Sequence, residues 1–568
     1  MLGLAGILSW AVFAQVADEV EGFASVEDLI GRYETDRDAL ARFYGRQVLS
    51  ESHHARMGQF FAGWKDQLEA MDFENLSAAG QVDFLLMRHR LDYSEKSLAT
   101  DWRKLAEITE LVRFKDGVQG LYEAYRAREK MEPRAIAERL AAISKEVAEV
   151  EGKISLEEED GKLVTTPVLA LRAQKVVGEV ERRLDAWYKF YAGFDPEFSW
   201  WAGQAQAELK NGLEGYRKKL GELVTGGKEG DEAPLVGDPI GEEALADDLA
   251  VEMLAYSPDE LLAIGEREFA WCRAEMVKAA GEMGFGEDWR KALEAVKADF
   301  VPPGEQDDLA AEIAREAIAF IDGEGLVTVP ALCRETWYLT MLGKREQQTL
   351  PYAVYRGQAI GIAFPTEDMS VEQKLMSLRG NNRHFTRAVI PHELIPGHHL
   401  QRFMAKRHSA YRGLFSTPFF VEGWALHWEM LLYDLNYPRT SEERIGMLFW
   451  RAHRCARIIV SLKFHLGKMQ PEQMVDFLTE EVGMEESGAR GEVRRYIGDS
   501  YSPLYQCGYM LGGLQLRAIY AESVGAGKIA PREFHDAVLR LGPVPIEMVR
   551  ASLLGDELTR DWRAAWRF

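Results

Sequence analysis

The sequence predicts a mainly α-helical protein with one small β element, and two observations carry this. Apolar residues recur at intervals of three and four, with charged residues on the intervening faces, from Ser25 to about Leu220 and again from Glu242 onward; that is the period of a helix with one buried face. Between Leu326 and Pro365 the pattern changes to LVTVP and then TLPYAVYRGQAIGIAFP, rich in β-branched and aromatic residues punctuated by Gly and Pro, which predicts short strands and a small sheet. Hydrophobic residues at 47% and charged residues at 28% exclude a disordered chain. A length of 568 residues suffices for a large buried core.

Taken in order, the first element is Leu2 to Ala14 (LGLAGILSWAVFA), an apolar run before the polar stretch that starts at Gln15. It predicts a signal peptide over residues 1–14 and a periplasmic or secreted protein. No Lys or Arg precedes the run, so the alternative is an apolar first helix in a cytoplasmic protein. Residues 15–225 follow as an N-terminal helical lobe, typified by Ala137 to Ile154. The Gly-rich, acidic stretch Thr225 to Gly241 predicts a surface loop, and residues 242–568 a second lobe, the two forming one continuous body. Helix breaks are expected near Tyr437-Pro438, Met469 to Pro471, Met484 to Gly491 and Leu541 to Pro545. No segment after the first approaches the roughly 20 apolar residues of a membrane span, so stable membrane insertion is not expected.

The net charge of −23 argues against a nucleic-acid partner, whose phosphates it would repel. Cys272, Cys333, Cys455 and Cys507 lie far apart and form no C-x-x-C pair, which makes a disulfide framework or thiolate cluster improbable. Oligomeric state is not legible.

The chemistry concentrates in His392-Glu393-Leu394-Ile395-Pro396-Gly397-His398-His399. Neutral imidazole is a standard Zn²⁺ ligand, and a glutamate beside the first ligand can take the proton of an activated water. These residues predict His392 and His398 as ligands of one zinc ion and Glu393 as general base. The interval from His392 to His398 is six rather than the four of H-E-x-x-H. Six residues rotate by roughly 600° on an undistorted helix, so the rings would diverge. Pro396, which lacks an N–H for the His392 carbonyl, and Gly397 predict a local bulge that re-aims His398. His399, at i+7, falls about 10 Å along the axis from His392 and is expected to support the site.

A third, anionic ligand is expected in Val421-Glu422-Gly423-Trp424-Ala425-Leu426-His427-Trp428-Glu429. Glu422 is the predicted ligand; Glu429 and His427 are expected to hydrogen-bond the ligand histidines and fix their tautomers. Trp424 and Trp428 read as core packing. In Tyr496 to Gly513 tyrosines cluster among small residues, and Tyr505 and Tyr509, with Tyr501 one spacing earlier, are candidate donors to a tetrahedral oxyanion. Core aromatics are the alternative. Arg494 and Arg495 have the chemistry to bind a substrate carboxylate, or to form a surface ion pair.

At these residues the chain resembles the bacterial family of uncharacterised proteins marked by an H-E-x-x-P-G-H-H motif, placed with the gluzincin metallopeptidases. His392, Glu393, Pro396, Gly397, His398 and His399 match that signature; Glu422-Gly423-Trp424-Ala425 and Tyr505-Gln506-Cys507-Gly508 match its further elements. The interval to Glu422 is similar to that in angiotensin-converting enzyme and thimet oligopeptidase, helical enzymes with a deep substrate channel. The resemblance implies a two-lobed gluzincin-like fold with His392, His398 and Glu422 as zinc ligands, Glu393 as base and Tyr505 at the oxyanion or substrate. One departure is visible: where that family carries an aspartate ahead of a histidine in an Ile/Val-rich helix, this chain has Ser461 before His465. The expected function is therefore a zinc metallopeptidase cleaving short peptides. Its rivals are a non-peptidase zinc amide or ester hydrolase and a non-catalytic peptide-binding protein with a vestigial site.

Overall fold

A computed structural model describes residues 22–228, 233–347, 349–498 and 501–568, so the expected signal peptide lies outside the described residues. Among them the chain forms 23 α-helices and two small sheets, which makes it mainly α. Among the described residues no helix is long and apolar enough to cross a membrane. All four cysteines are buried free thiols.

The helices start where the side chains supply caps. Asn382 accepts from the amides of His384 and Phe385, and Thr417 from that of Phe419, so orphan N–H groups of two first turns are satisfied. Three clusters of buried apolar side chains result. One draws on Val26 to Leu91 and on Leu245 to Ala551; a second on Leu49 and Leu105 to Leu220; a third, smaller one on Val301 to Leu394. The 30-residue helix Ala78–Glu107 runs from the first into the second, contributing Val82 to Leu91 to one and Leu105 to the other. The described part of the Gly-rich loop is pinned down: Asp238 accepts a bidentate pair from Arg172 at 2.7 and 3.0 Å and a bond from Lys104 at 3.0 Å.

The β region holds three strands, β1 (Tyr338–Met341), β2 (Ala353–Arg356) and β3 (Ala359–Ile362), in the order β1-β3-β2. β2 and β3 form an antiparallel hairpin turning at Gly357, whose φ of +75° suits glycine, and β1 adds parallel. LVTVP is not a strand. Its apolar residues Leu326, Val327 and Val329 are buried, but its backbone pairs with no strand: the Leu326 amide donates to the Ile321 carbonyl, the Leu326 carbonyl accepts from His535 and the Thr328 amide donates to Asp536. Burial mimicked the strand pattern without a pairing partner. A further two-stranded parallel sheet, Ile154–Ser155 with Leu163–Val164, had no sequence signal.

Two helices approach to backbone contact. Along Pro418–Asp434 and Tyr505–Tyr520, a Cβ on Gly423 would lie 2.5 Å from the Gly512 carbonyl carbon, one on Gly508 2.8 Å from that of Pro418, and one on Gly512 would overlap the Phe419 carbonyl oxygen. Gly512→Ala is therefore expected to cost about 1–3 kcal/mol or more, since the obstruction is backbone rather than a pliable side chain. Thermal unfolding checks this; an unchanged Tm would show that the helices can part freely.

At the N-terminus of the first of these helices Thr417 donates to buried Glu252. Burial pushes the Glu252 carboxyl up to about 8, against the Thr417 bond and with Asp248 adding to the rise. A folded value above the unfolded 4.5 means a contribution to stability that is complete below 4.5 and lost as pH rises through about 8. Glu252→Gln carries no such charge, so its Tm should gain on that of the wild type by several degrees between pH 5 and pH 8.5. An identical offset at both pH values would contradict the assignment.

Candidate metal centre

The helix Arg383–Glu393 carries His392 and Glu393 into the core beneath β2 and β3. It does not bulge at Pro396; it ends. Leu394 leaves the helical region with φ −104° and ψ −103°, a cis peptide joins Ile395 to Pro396, and a new helix, His398–His408, begins. The Gly397 amide donates to the Pro391 carbonyl, and a Cβ there would overlap the His392 carbonyl oxygen, so only glycine fits the corner. Trp424 donates its indole N–H to the Pro396 carbonyl at 2.8 Å and anchors the break from the facing helix.

The corner brings the His392 and His398 rings to 4.8 Å, nearly perpendicular at 88°. One ligand atom each from His392, Glu393 and His398 lies within 4.8 Å of the others. Glu422, from Pro418–Asp434, points its Oε2 between the rings, 3.2 Å from His398 Nε2 and 3.5 Å from His392 Nε2. Despite these distances that buried oxygen accepts no aligned hydrogen bond. Two imidazole nitrogens and a carboxylate oxygen that converge without hydrogen-bond alignment fit a shared divalent cation better than an ion pair.

The electrostatics agree. Burial alone would lower the His392 imidazole, but Glu422, Glu429 and Glu393 outweigh it and raise it to about 9. Burial opposes ionisation of Glu422 and Glu429, yet the histidines hold Glu422 well below the usual carboxylate range, and Arg454 with His392 lowers Glu429. In this buried centre the carboxylates and the cationic groups around them hold one another in their charged forms.

Around it each predicted residue has a definite place. Glu429 Oε1 pairs with His392 Nδ1 at 2.6 Å and receives Arg454 at 3.2 Å. Tyr505 donates to Glu422 Oε1, the oxygen turned away from the imidazoles. Burial and Glu422 both raise the Tyr505 phenol, so it stays protonated. Tyr509 lies parallel to the His392 ring at 6.0 Å, and Tyr501 packs on Tyr505 at 4.3 Å. Glu393 Oε2 accepts the Tyr355 amide of β2 at 2.9 Å.

One residue sits elsewhere than expected. His427 does not reach a ligand histidine; its Nε2 faces His535 Nε2 at 3.0 Å. Five residues from Glu422 it is turned about 140° around the helix, whereas Glu429, at seven, returns to the same face. His399 belongs to a separate helix from His392, which cancels the i+7 phase; it contacts the Tyr355 hydroxyl through Nδ1 at 3.2 Å and the Cys333 carbonyl through Nε2 at 2.9 Å. It thus buttresses the strand that holds Glu393. Trp424 and Trp428 are fully buried.

Sequence reasoning missed Tyr355, which acts through its backbone, and the arginines of the helix Ser441–His465. From Ile445 to His465 every residue of that helix but Lys463 is buried, Arg451, Arg454 and Arg457 included. Arginines three apart in an otherwise apolar helix were the available signal.

The comparisons place the chain among known proteins. Two solved structures are similar over nearly their whole length: "a putative lipoprotein of unknown function" from Shewanella oneidensis, 17% identical with TM-score 0.66, covering 94% of this chain and 100% of that one, and "the putative lipoprotein" from Colwellia psychrerythraea, 16% identical with TM-score 0.60, covering 94% and 99%. At such identity they show a shared fold. No curated protein matches. The family model described as "Bacterial protein of unknown function (DUF885)" matches residues 44–553, and with nearly the whole chain inside that match, this protein belongs to the DUF885 family.

Proposed function

We propose that this protein is a zinc-dependent metallopeptidase hydrolysing short peptides. The observation that supports this most is the buried Glu422 oxygen set between His392 Nε2 and His398 Nε2 without a hydrogen-bond donor, with Glu393 beside them. A divalent cation held by His392, His398 and Glu422 would polarise the scissile carbonyl and acidify a water there. Glu393, with Oε2 fixed by the Tyr355 amide, accepts the water proton on its other oxygen and passes it to the leaving amine. Glu429 holds the His392 Nδ1 proton and so presents Nε2 as the ligand atom. Tyr505, engaged with Glu422, becomes an oxyanion donor by exchanging that partner for the developing charge. β2 is an edge strand; its Tyr355 amide is engaged by Glu393, and its remaining outward backbone groups would receive an extended peptide.

On this reading residues 242–568 form the catalytic lobe and the described residues 22–225 of the N-terminal lobe cover it, as in two-lobed gluzincins; the core shared by Val26–Leu91 and Leu245–Ala551 supports one continuous body. The described lipoproteins of the same fold support a place in the cell envelope.

The test is metal content together with turnover. About one zinc per chain, and hydrolysis of members of a short-peptide library that a chelator stops and zinc restores, is the expected result. Zinc-loaded protein that cleaves N-acyl amides or esters but no peptide would move the assignment to a different hydrolase. Protein that takes up no metal would end it.

A further inference from the structure

Beside the metal centre lie three guanidinium groups with donors left over. Arg454 directs Nη2 to Glu429 and has Nε and Nη1 without a partner. Arg457 donates Nε to the Tyr496 hydroxyl at 2.9 Å and Nη2 to Glu492 at 2.8 Å, leaving Nη1 unpartnered. Arg495 comes within 3.2 Å of the same Glu492 oxygen but out of line for a hydrogen bond, so its Nε and Nη2 are unpartnered too. The side chains of Arg454 and Arg457 are 6% and 4% exposed, and that of Arg495 is 12% exposed. Water therefore reaches the first two hardly at all.

Tyr509 joins this cluster to the centre. Its ring is 4.3 Å from Arg457 Cζ and 5.5 Å from Arg454 Cζ, and the His392 ring lies parallel to it at 6.0 Å. Arg495 Cζ is 5.4 Å from the Tyr501 ring, which packs on Tyr505, the partner of Glu422. Burial raises the Tyr509 phenol, with Glu422 adding to the rise and Arg457, Arg495 and Arg454 opposing it, so the hydroxyl is a donor. Burial holds His453 neutral. Among the described residues three guanidinium charges are thus paired with two buried carboxylates, Glu429 and Glu492.

An unpaired buried charge destabilises a fold, and each unsatisfied donor adds to that. Folded proteins keep such a deficit where a ligand brings the missing partner. That partner is an anion rich in acceptors, and one excess positive charge matches a monoanionic carboxylate, which guanidinium binds with fixed geometry. We propose that Arg454, Arg457 and Arg495, with the Tyr509 hydroxyl, form a receptor for a substrate carboxylate beside the metal centre, so that the protein acts next to a free chain end or an acidic side chain. This rests on the peptidase reading for its substrate but not for its binding site.

Calorimetric titration of the Glu393→Gln protein, metal-stripped and zinc-loaded, tests it with three probes: acetyl-trialanine as free acid, the same peptide as C-terminal amide, and acetyl-Ala-Asp-Ala amide. The free acid should bind about ten-fold or more tightly than the amide in both metal states. Tight binding of the aspartyl amide as well shows that the receptor takes a side-chain carboxylate in addition to the chain end, and still supports the receptor. Arg495→Gln, the least buried of the three, should bring the free acid down to the affinity of the amide while leaving the affinity for the amide unchanged. Arg457→Gln should do the same if it folds; the comparison of acid with amide needs no variant. Equal affinity for all three probes, or binding of none, overturns the receptor. Carboxylate preference in protein that neither holds zinc nor cleaves peptides would keep the receptor and reject the peptidase, and the reverse pattern would do the opposite.

Discussion

Glu393→Gln is expected to reduce peptide turnover by about 10²–10⁴-fold while the protein keeps its metal, because the amide is isosteric and still accepts the Tyr355 N–H, but has no basic oxygen for a water proton. The experiment also separates two roles that the geometry brings close. Glu393 lies with His392 and His398 inside a 4.8 Å cluster, so as a ligand it would take metal with it when neutralised. Turnover lost with zinc retained assigns the base. Zinc lost with turnover would make Glu393 a ligand, and unaltered turnover would remove it from the chemistry.

The second large effect is expected at the paired glutamates of the facing helix. Glu422→Gln replaces the anionic oxygen set between the two imidazoles and should leave the protein without stoichiometric zinc after dialysis. Glu429→Gln keeps a hydrogen-bond acceptor for His392 Nδ1 but removes the charge behind it; a loss of about 10–100-fold in zinc affinity is expected, with stoichiometry preserved on reconstitution. The order of the two variants is the informative quantity, and metal titration against a competing chelator reads it. If Glu429→Gln loses zinc outright while Glu422→Gln retains it, the ligand is Glu429.

The residue types of the centre were legible because each is written locally: two histidines, a glutamate between them, and carboxylates seven apart on one helix. What the sequence hid was direction. Pro396 and Gly397 announced a distortion at six-residue spacing, but whether the helix would bend or end depends on Trp424, twenty-eight residues away, reaching the Pro396 carbonyl. The position of His399 along the axis was hidden for the same reason, since helical phase does not survive a break. Tyr355 could not be found from side-chain chemistry, for it contributes an amide that any residue but proline would supply. The helical class followed from periodicity over long stretches, whereas LVTVP shows how a buried irregular segment reproduces the composition of a strand. The arginines of Ser441–His465 stayed hidden because a buried charge is visible only when its partners are known, and Glu429, Glu492 and Tyr496 come from two other helices.

The bond from the β2 amide of Tyr355 to Glu393 has a kinetic consequence. β2 is a sheet edge, and the same segment that would pair with a peptide backbone also sets where the proton acceptor stands. His399 ties that segment to the Cys333 carbonyl, so the strand and the carboxylate shift together. On the peptidase reading, grip on the distant parts of a substrate would thereby be converted into alignment at the bond being broken. Shortening a peptide at its far end should then slow the chemical step itself, lowering kcat more than it raises KM, as happens when remote binding energy is realised only on the way to the transition state.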